Sequence, residues 1–69
     1  MQITITINGE QYADLTKGMS VSGLLAHLGL HEKKIAVERN REIVPKSGYK
    51  NIALHDGDVL EIITFIGGG

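Results

Sequence analysis

The amino-acid sequence predicts an α+β domain in which one main helix packs across a mixed β-sheet. Three observations carry this. Residues 2–8 alternate between apolar and polar with a period of two. Val21, Leu24, Leu25 and Leu28 recur at helical spacing. Residues 59–66 form the longest apolar run, near the end of the chain. Short strands around a single amphipathic helix bury both kinds of apolar face most simply as one helix on one curled sheet.

Ile3, Ile5 and Ile7 alternate with Gln2, Thr4, Thr6 and Asn8. β-Branched residues in this pattern describe a strand with one buried face. Asn8-Gly9 is a strong hairpin signal, and residues 10–15 return as a second strand. A two-residue loop there would place Glu10 and Asp14 on the isoleucine face. An odd, bulged loop would place Ala13 and Leu15 there instead. Burying two unpaired carboxylates costs more than one irregular turn, so the bulged loop is expected.

Ser20 is the expected N-cap of the helix. Val21, Leu24, Leu25 and Leu28 form its apolar stripe, and Gly29 fits the residue just past its end. Gly23 weakens the helix by about 1 kcal/mol relative to alanine, so the helix depends on packing against the sheet. Residues 35–38 read as a third strand, and Arg39-Asn40-Arg41 as a polar turn. Residues 42–44 form a short strand ended by Pro45. A loop follows, with one helical turn around Tyr49, then a brief extended piece at 52–54. His55-Asp56-Gly57-Asp58 is a turn by composition. The order of hairpin, crossing helix, short strands and long last strand describes a β-grasp, ubiquitin-like layout. It divides into a body at residues 1–66 and a flexible glycine tail at 67–69.

In the last strand Leu60, Ile62, Thr64 and Ile66 share one parity and Val59, Glu61, Ile63 and Phe65 the other. Glu61 marks the wetter face, so Leu60 and Ile62 point at the helix. Ile63 and Phe65 then lie outside the core. Apolar residues left exposed beside the tail suggest a contact surface, and Ile63, Phe65 and Ile66 are assigned to partner binding. The alternative for Phe65 is a cap on the core edge. An open edge on the last strand would also allow weak self-pairing.

Bulk composition excludes several functions. Sixty-nine residues give one modest core and no room for a deep cleft. Cysteine is absent, which removes disulfides, thiolate metal sites and thiol nucleophiles. The net charge of −1 offers no basic field for nucleic acid. No apolar stretch nears the ~20 residues of a membrane span. Residues 2–8 alternate where a signal sequence would be charged and then apolar, so a cytoplasmic location is expected.

Other clusters carry less. His27 and His31 have zinc-compatible i, i+4 spacing, but Gly29 and Leu30 intervene at the helix end and no acidic partner completes a motif. They read as surface histidines, and no metal site is expected. His55, Asp56 and Asp58 supply too few ligands for a calcium loop and read as a structural turn. Arg39, Arg41, Lys46 and Lys50 read as a solvated surface ahead of a steering strip for an acidic partner. Lys33-Lys34 is expected to complement the helix dipole.

Gly67-Gly68-Gly69 follows the last apolar run. Three extended residues reach roughly 10 Å, enough to thread a narrow groove while the body docks outside. A frayed terminus is the plain alternative. Ordering such a tail costs about 1–2 kcal/mol per residue, so a partner must recover this through contacts with the body.

The segment Val37-Glu38-Arg39-Asn40, the stretch Glu42-Ile43-Val44-Pro45, the turn Asp56-Gly57-Asp58 and the ending Phe65-Ile66-Gly67-Gly68-Gly69 resemble the ThiS family, the sulfur carriers of thiamine biosynthesis. The resemblance covers essentially the whole chain. Gly67 is a small variation on the family's terminal glycine pair. The resemblance implies a carrier, not a catalyst. A ThiF-type enzyme uses ATP and magnesium to adenylate the carboxylate of Gly69, and the carrier itself binds no cofactor. Sulfur from a persulfide protein then gives a thiocarboxylate, and a ThiG-type thiazole synthase takes up this sulfur. Gly67 and Gly68 form the leash. Two alternatives remain at this point: the small subunit of molybdopterin synthase, and a ubiquitin-like protein modifier or interaction module.

Overall fold

Alternating β-branched residues build the first strand, β1 (Gln2–Ile7), whose isoleucines are all buried. The computed structural model describes residues 1–64. The remaining elements are β2 (Glu10–Thr16), α1 (Val21–His27), β3 (Ile35–Arg39), β4 (Glu42–Ile43) and β5 (Val59–Thr64). The sheet order is β2-β1-β5-β3-β4. β1 and β5 run parallel, and the other pairs are antiparallel. The predicted α+β class and mixed sheet are therefore observed. β5 lies in the centre, between β1 and β3, so the expected open edge on the last strand is wrong. The edges are β2 and β4.

The hairpin also corrects the expectation. Asn8 and Gly9 have φ of 50° and 85°, and Ile7 pairs directly with Glu10. The loop has two residues, both in the left-handed region that matches strand twist. The register then shifts between Ile3 and Ile5, so that Ile5 faces Tyr12 while Ile3 faces Leu15. The bulge thus falls at Ala13 and Asp14, where Asp14 takes φ 66°. Leu15 is buried as expected, but Ala13 is exposed and Tyr12 fills its place beside the isoleucines. The cost assigned to Glu10 does not arise, because Glu10 lies exposed at the end of an edge strand. The bulge keeps Asp14 off the core face.

Ser20 caps α1: its hydroxyl accepts from the Gly23 N–H at 2.9 Å. Beyond Leu28, Gly29 turns at φ 75°. The Gly29 and Leu30 N–H groups donate to the Ala26 and Leu25 carbonyls at 3.1 and 2.9 Å, the paired bonds that close a helix through a left-handed residue. Val21, Leu24 and Leu25 are fully buried in one cluster with the β1 isoleucines, Leu60 and Ile62. Lys33 and Lys34 belong to a separate 3₁₀ turn, Glu32–Lys34, and not to the last turn of α1. A second 3₁₀ turn, Lys46–Gly48, leads into Tyr49. The Tyr49 ring is buried and its carbonyl accepts from Ser22 at 2.7 Å, which ties the long loop to the helix start.

No helix among the described residues is long and apolar enough to cross a membrane. The proposed boundary at residue 66 falls among residues 65–69, outside the described part.

Candidate functional site

The last strand sits between two anchors, and both are made by residues distant in sequence. At its start, Asp58 is the one buried charged residue among those described. Its carboxylate accepts from Arg39 Nε at 2.9 Å, from the Asn40 amide at 3.1 Å and from the His55 N–H at 2.9 Å. Burial pushes its pKa up, but the His55 N–H, the Arg39 and Asn40 donors and the Arg39 charge outweigh this and hold it below the usual value. Asn40 also accepts from the Val59 N–H at 3.0 Å and donates its own N–H to the Val59 carbonyl at 2.8 Å. Asp56 accepts from the Thr4 N–H at 2.8 Å. The Asp56-Gly57-Asp58 turn is structural, as its composition suggests. Arg39 is committed to Asp58, and Lys46 donates to the Glu32 carbonyl.

Further along, β1 ends at Ile7 and the chain turns away. Asn8 nonetheless reaches β5: its side-chain oxygen accepts from the Ile62 N–H at 2.7 Å, and its amide nitrogen donates to the Ile62 carbonyl at 3.0 Å.

The parity argument for β5 holds over the described residues. Leu60 and Ile62 are buried, whereas Val59 and Ile63 are 47% and 52% exposed. Ile63 pairs with Ala36 and Glu61 with Glu38. Ile43, opposite Glu38 on the far side, is 67% exposed. The sheet face away from the helix therefore carries a patch of Ile43, Val59 and Ile63 around two glutamates. Of the residues assigned to partner contact, Ile63 is on this patch. Phe65, Ile66 and the tail Gly67, Gly68 and Gly69 lie outside the described residues.

We expect Ile63→Ala to weaken partner binding while shifting the thermal midpoint little. Calorimetry beside a binding titration checks this, and a large drop in midpoint with unchanged binding would return Ile63 to the core.

The other candidates do not converge. His27 and His31 are exposed, and the described residues contain no group of three or more His, Cys, Asp or Glu positioned to hold a metal ion. The largest recess lies past the helix end, beside Leu30, His31 and Lys50, away from β5.

A helix crossing a five-stranded sheet with a parallel β1–β5 centre defines the ubiquitin-like β-grasp class. In a crystal structure, the thiamine biosynthesis protein ThiS of Geobacter metallireducens has this fold, with a TM-score of 0.81 and 29% identity over 97% of this chain and 100% of its own. The ThiS family model matches residues 2–69, and the chain belongs to the ThiS family. It is 38% identical to the sulfur carrier protein ThiS of Bacillus subtilis over 94% of this chain and 98% of that protein. It is also 54% identical, over 94% of its length, to part of a thiazole synthase of Paramagnetospirillum magneticum. The chain spans about one-fifth of the length of the thiazole synthases it matches.

Sequence reasoning missed both anchors. In the sequence Asp58 signals only a turn, and Asn8 only a hairpin. Apart from the nearby His55 N–H, their partners lie 18 to 54 residues away, and no local spacing signals those.

Proposed function

We propose that the chain is a sulfur carrier that supplies thiazole formation in thiamine biosynthesis, with the Gly69 carboxylate as the reacting group. The observation that carries this reading is the family match, which runs through residue 69 and so takes in the three glycines. The likeness to thiazole synthases favours the thiazole route over the molybdopterin one.

A carboxylate is a poor electrophile because its charge is shared by both oxygens. An adenylating enzyme of the ThiF type overcomes this with ATP and magnesium: a Gly69 oxygen attacks the α-phosphorus and pyrophosphate leaves. The terminal sulfur of a persulfide protein then attacks the carbonyl carbon and AMP leaves. A thiol cleaves the resulting acyl disulfide, which leaves the thiocarboxylate on the carrier. A thiazole synthase of the ThiG type accepts this sulfur. Glycine suits the reacting position because no Cβ shields the carbonyl. The carrier acts as a co-substrate in the cytoplasm, and Ile63, Phe65 and Ile66 contact the partner while Gly67 and Gly68 extend into its active site.

Intact mass spectrometry of the chain recovered from cells tests the reading. The expected result is a species in which one sulfur replaces one oxygen at the C-terminus. Covalent attachment to lysines of other proteins, with no sulfur-bearing form, would make it a modifier instead.

A further inference from the structure

The bonds at the two ends of the parallel β1–β5 ladder run from the Thr6 N–H to the Asp58 carbonyl and from the Asn8 N–H to the Leu60 carbonyl, each 3.0 Å. Continued by one step, the ladder would give Ile62 a backbone acceptor and a backbone donor from β1. It cannot continue, because Asn8 turns into the hairpin at φ 50°. The Asn8 side-chain amide supplies both missing groups at once, accepting from the Ile62 N–H and donating to its carbonyl. A primary amide presents the same donor and acceptor as a peptide unit, so one side chain stands in for a stretch of strand.

Asp58, just before β5, and Leu60 and Ile62 within it therefore stay paired on the side facing β1. The next residue of that parity, Thr64, has no pairing partner on that side among the described residues, and its cross-strand neighbour in β3 is Ile35. Among the described residues, Asn8 thus marks where the doubly held strand stops. Without it, two-sided support would end at Leu60, and the root of the tail would move back along the chain.

We propose that Asn8 is a positioning residue for the C-terminal tail: by clamping Ile62 it sets the point from which the leash to Gly69 begins. This rests on the carrier reading. A hairpin asparagine has a plain structural role, since asparagine tolerates the left-handed turn, and the test must separate the two. Asn8→Gly keeps the turn at no steric cost and removes the clamp. Asn8→Asp keeps the turn and the acceptor for the Ile62 N–H but sets an oxygen against the Ile62 carbonyl.

The experiment uses the full chain with its adenylating enzyme, ATP and magnesium. Amide hydrogen exchange and steady-state kinetics are measured on the wild type and both variants. In both variants, tail adenylation is expected to lose about tenfold in kcat, the scale of one or two lost hydrogen bonds, with KM within about twofold. In Asn8→Gly the Ile62 amide is expected to exchange about tenfold faster or more, while Ile5 and Leu25 amides keep their protection. A merely structural residue would leave kcat unchanged at temperatures where the variant is folded. An Asn8→Gly chain with a deprotected Ile62 amide and wild-type kcat would overturn the proposal. A wild-type chain that is never adenylated would remove the carrier reading, and this role with it.

Discussion

Deleting Gly69 is expected to abolish sulfur loading and leave the fold intact. The shortened chain still ends in two glycines, so its terminal carboxylate is chemically equivalent and equally unhindered. What changes is reach. One extended residue spans about 3.3–3.6 Å, and displacing a reacting group by about 1 Å can already cost about 10²-fold in rate. Loading should fall by at least that factor, read as the sulfur-bearing species by intact mass after incubation with the adenylating enzyme and a persulfide donor. The thermal midpoint should not move, because the core cluster is built from residues 3–62. Wild-type loading of the shortened chain would show that Gly69 does not carry the reacting carboxylate.

Asp58→Ala is expected to be the most damaging polar substitution in the body, at about 2–4 kcal/mol. It leaves three donors, on Arg39, Asn40 and His55, without their acceptor. The Asp58 side chain is 8% exposed and that of Arg39 27%, so water replaces the lost bonds poorly. Domains of this size have roughly 3–10 kcal/mol in total, so the variant sits near the edge of folding. Urea unfolding measures this, and a loss below about 0.5 kcal/mol would contradict the role given to the network. Asp58→Asn, the milder change, isolates the charge. The folded-state pKa of Asp58 lies below its unfolded value. Its contribution is therefore complete above about pH 4 and is lost as pH falls through the folded pKa. Wild type should lose stability more steeply than Asp58→Asn on acidification below about pH 4, and parallel curves would contradict this.

Much of the fold was legible because its signals are short-range. The period of two in residues 2–8 announced β1. Ser20, the leucine stripe and Gly29 bounded the helix. Glu61 was enough to orient β5, since a charged residue on one parity of a strand names the face that meets water. The hairpin differs from its expected form because the parity of Glu10 does not bury it. Parity says which side of the sheet a residue faces, but not whether anything covers that side. Glu10 pairs with Ile7 at the start of the edge strand β2 and is exposed there. The bulge belonged to the same problem and moved to where it was needed, one pair before Leu15 meets Ile3.

The centre of the sheet was not legible in this way. Nothing in residues 59–64 distinguishes an edge strand from a central one, because the distinction depends on which strands lie beside it. Asp58 and Asn8 had local readings that were sound and incomplete: one closes a turn and the other opens a hairpin. Each also completes hydrogen bonds with a segment that only folding brings near.

The sequence by itself determined the elements, the inward faces of β1, α1 and β5, and the family, since alternation, helical spacing, caps and a terminal glycine run are properties of neighbours along the chain. Only the tertiary structure decided that β5 is central, that Asp58 holds its start and that Asn8 holds Ile62. Those depend on contacts across 18 to 54 residues, and backbone polar groups at the end of a strand accept whatever donor or acceptor the fold delivers to them.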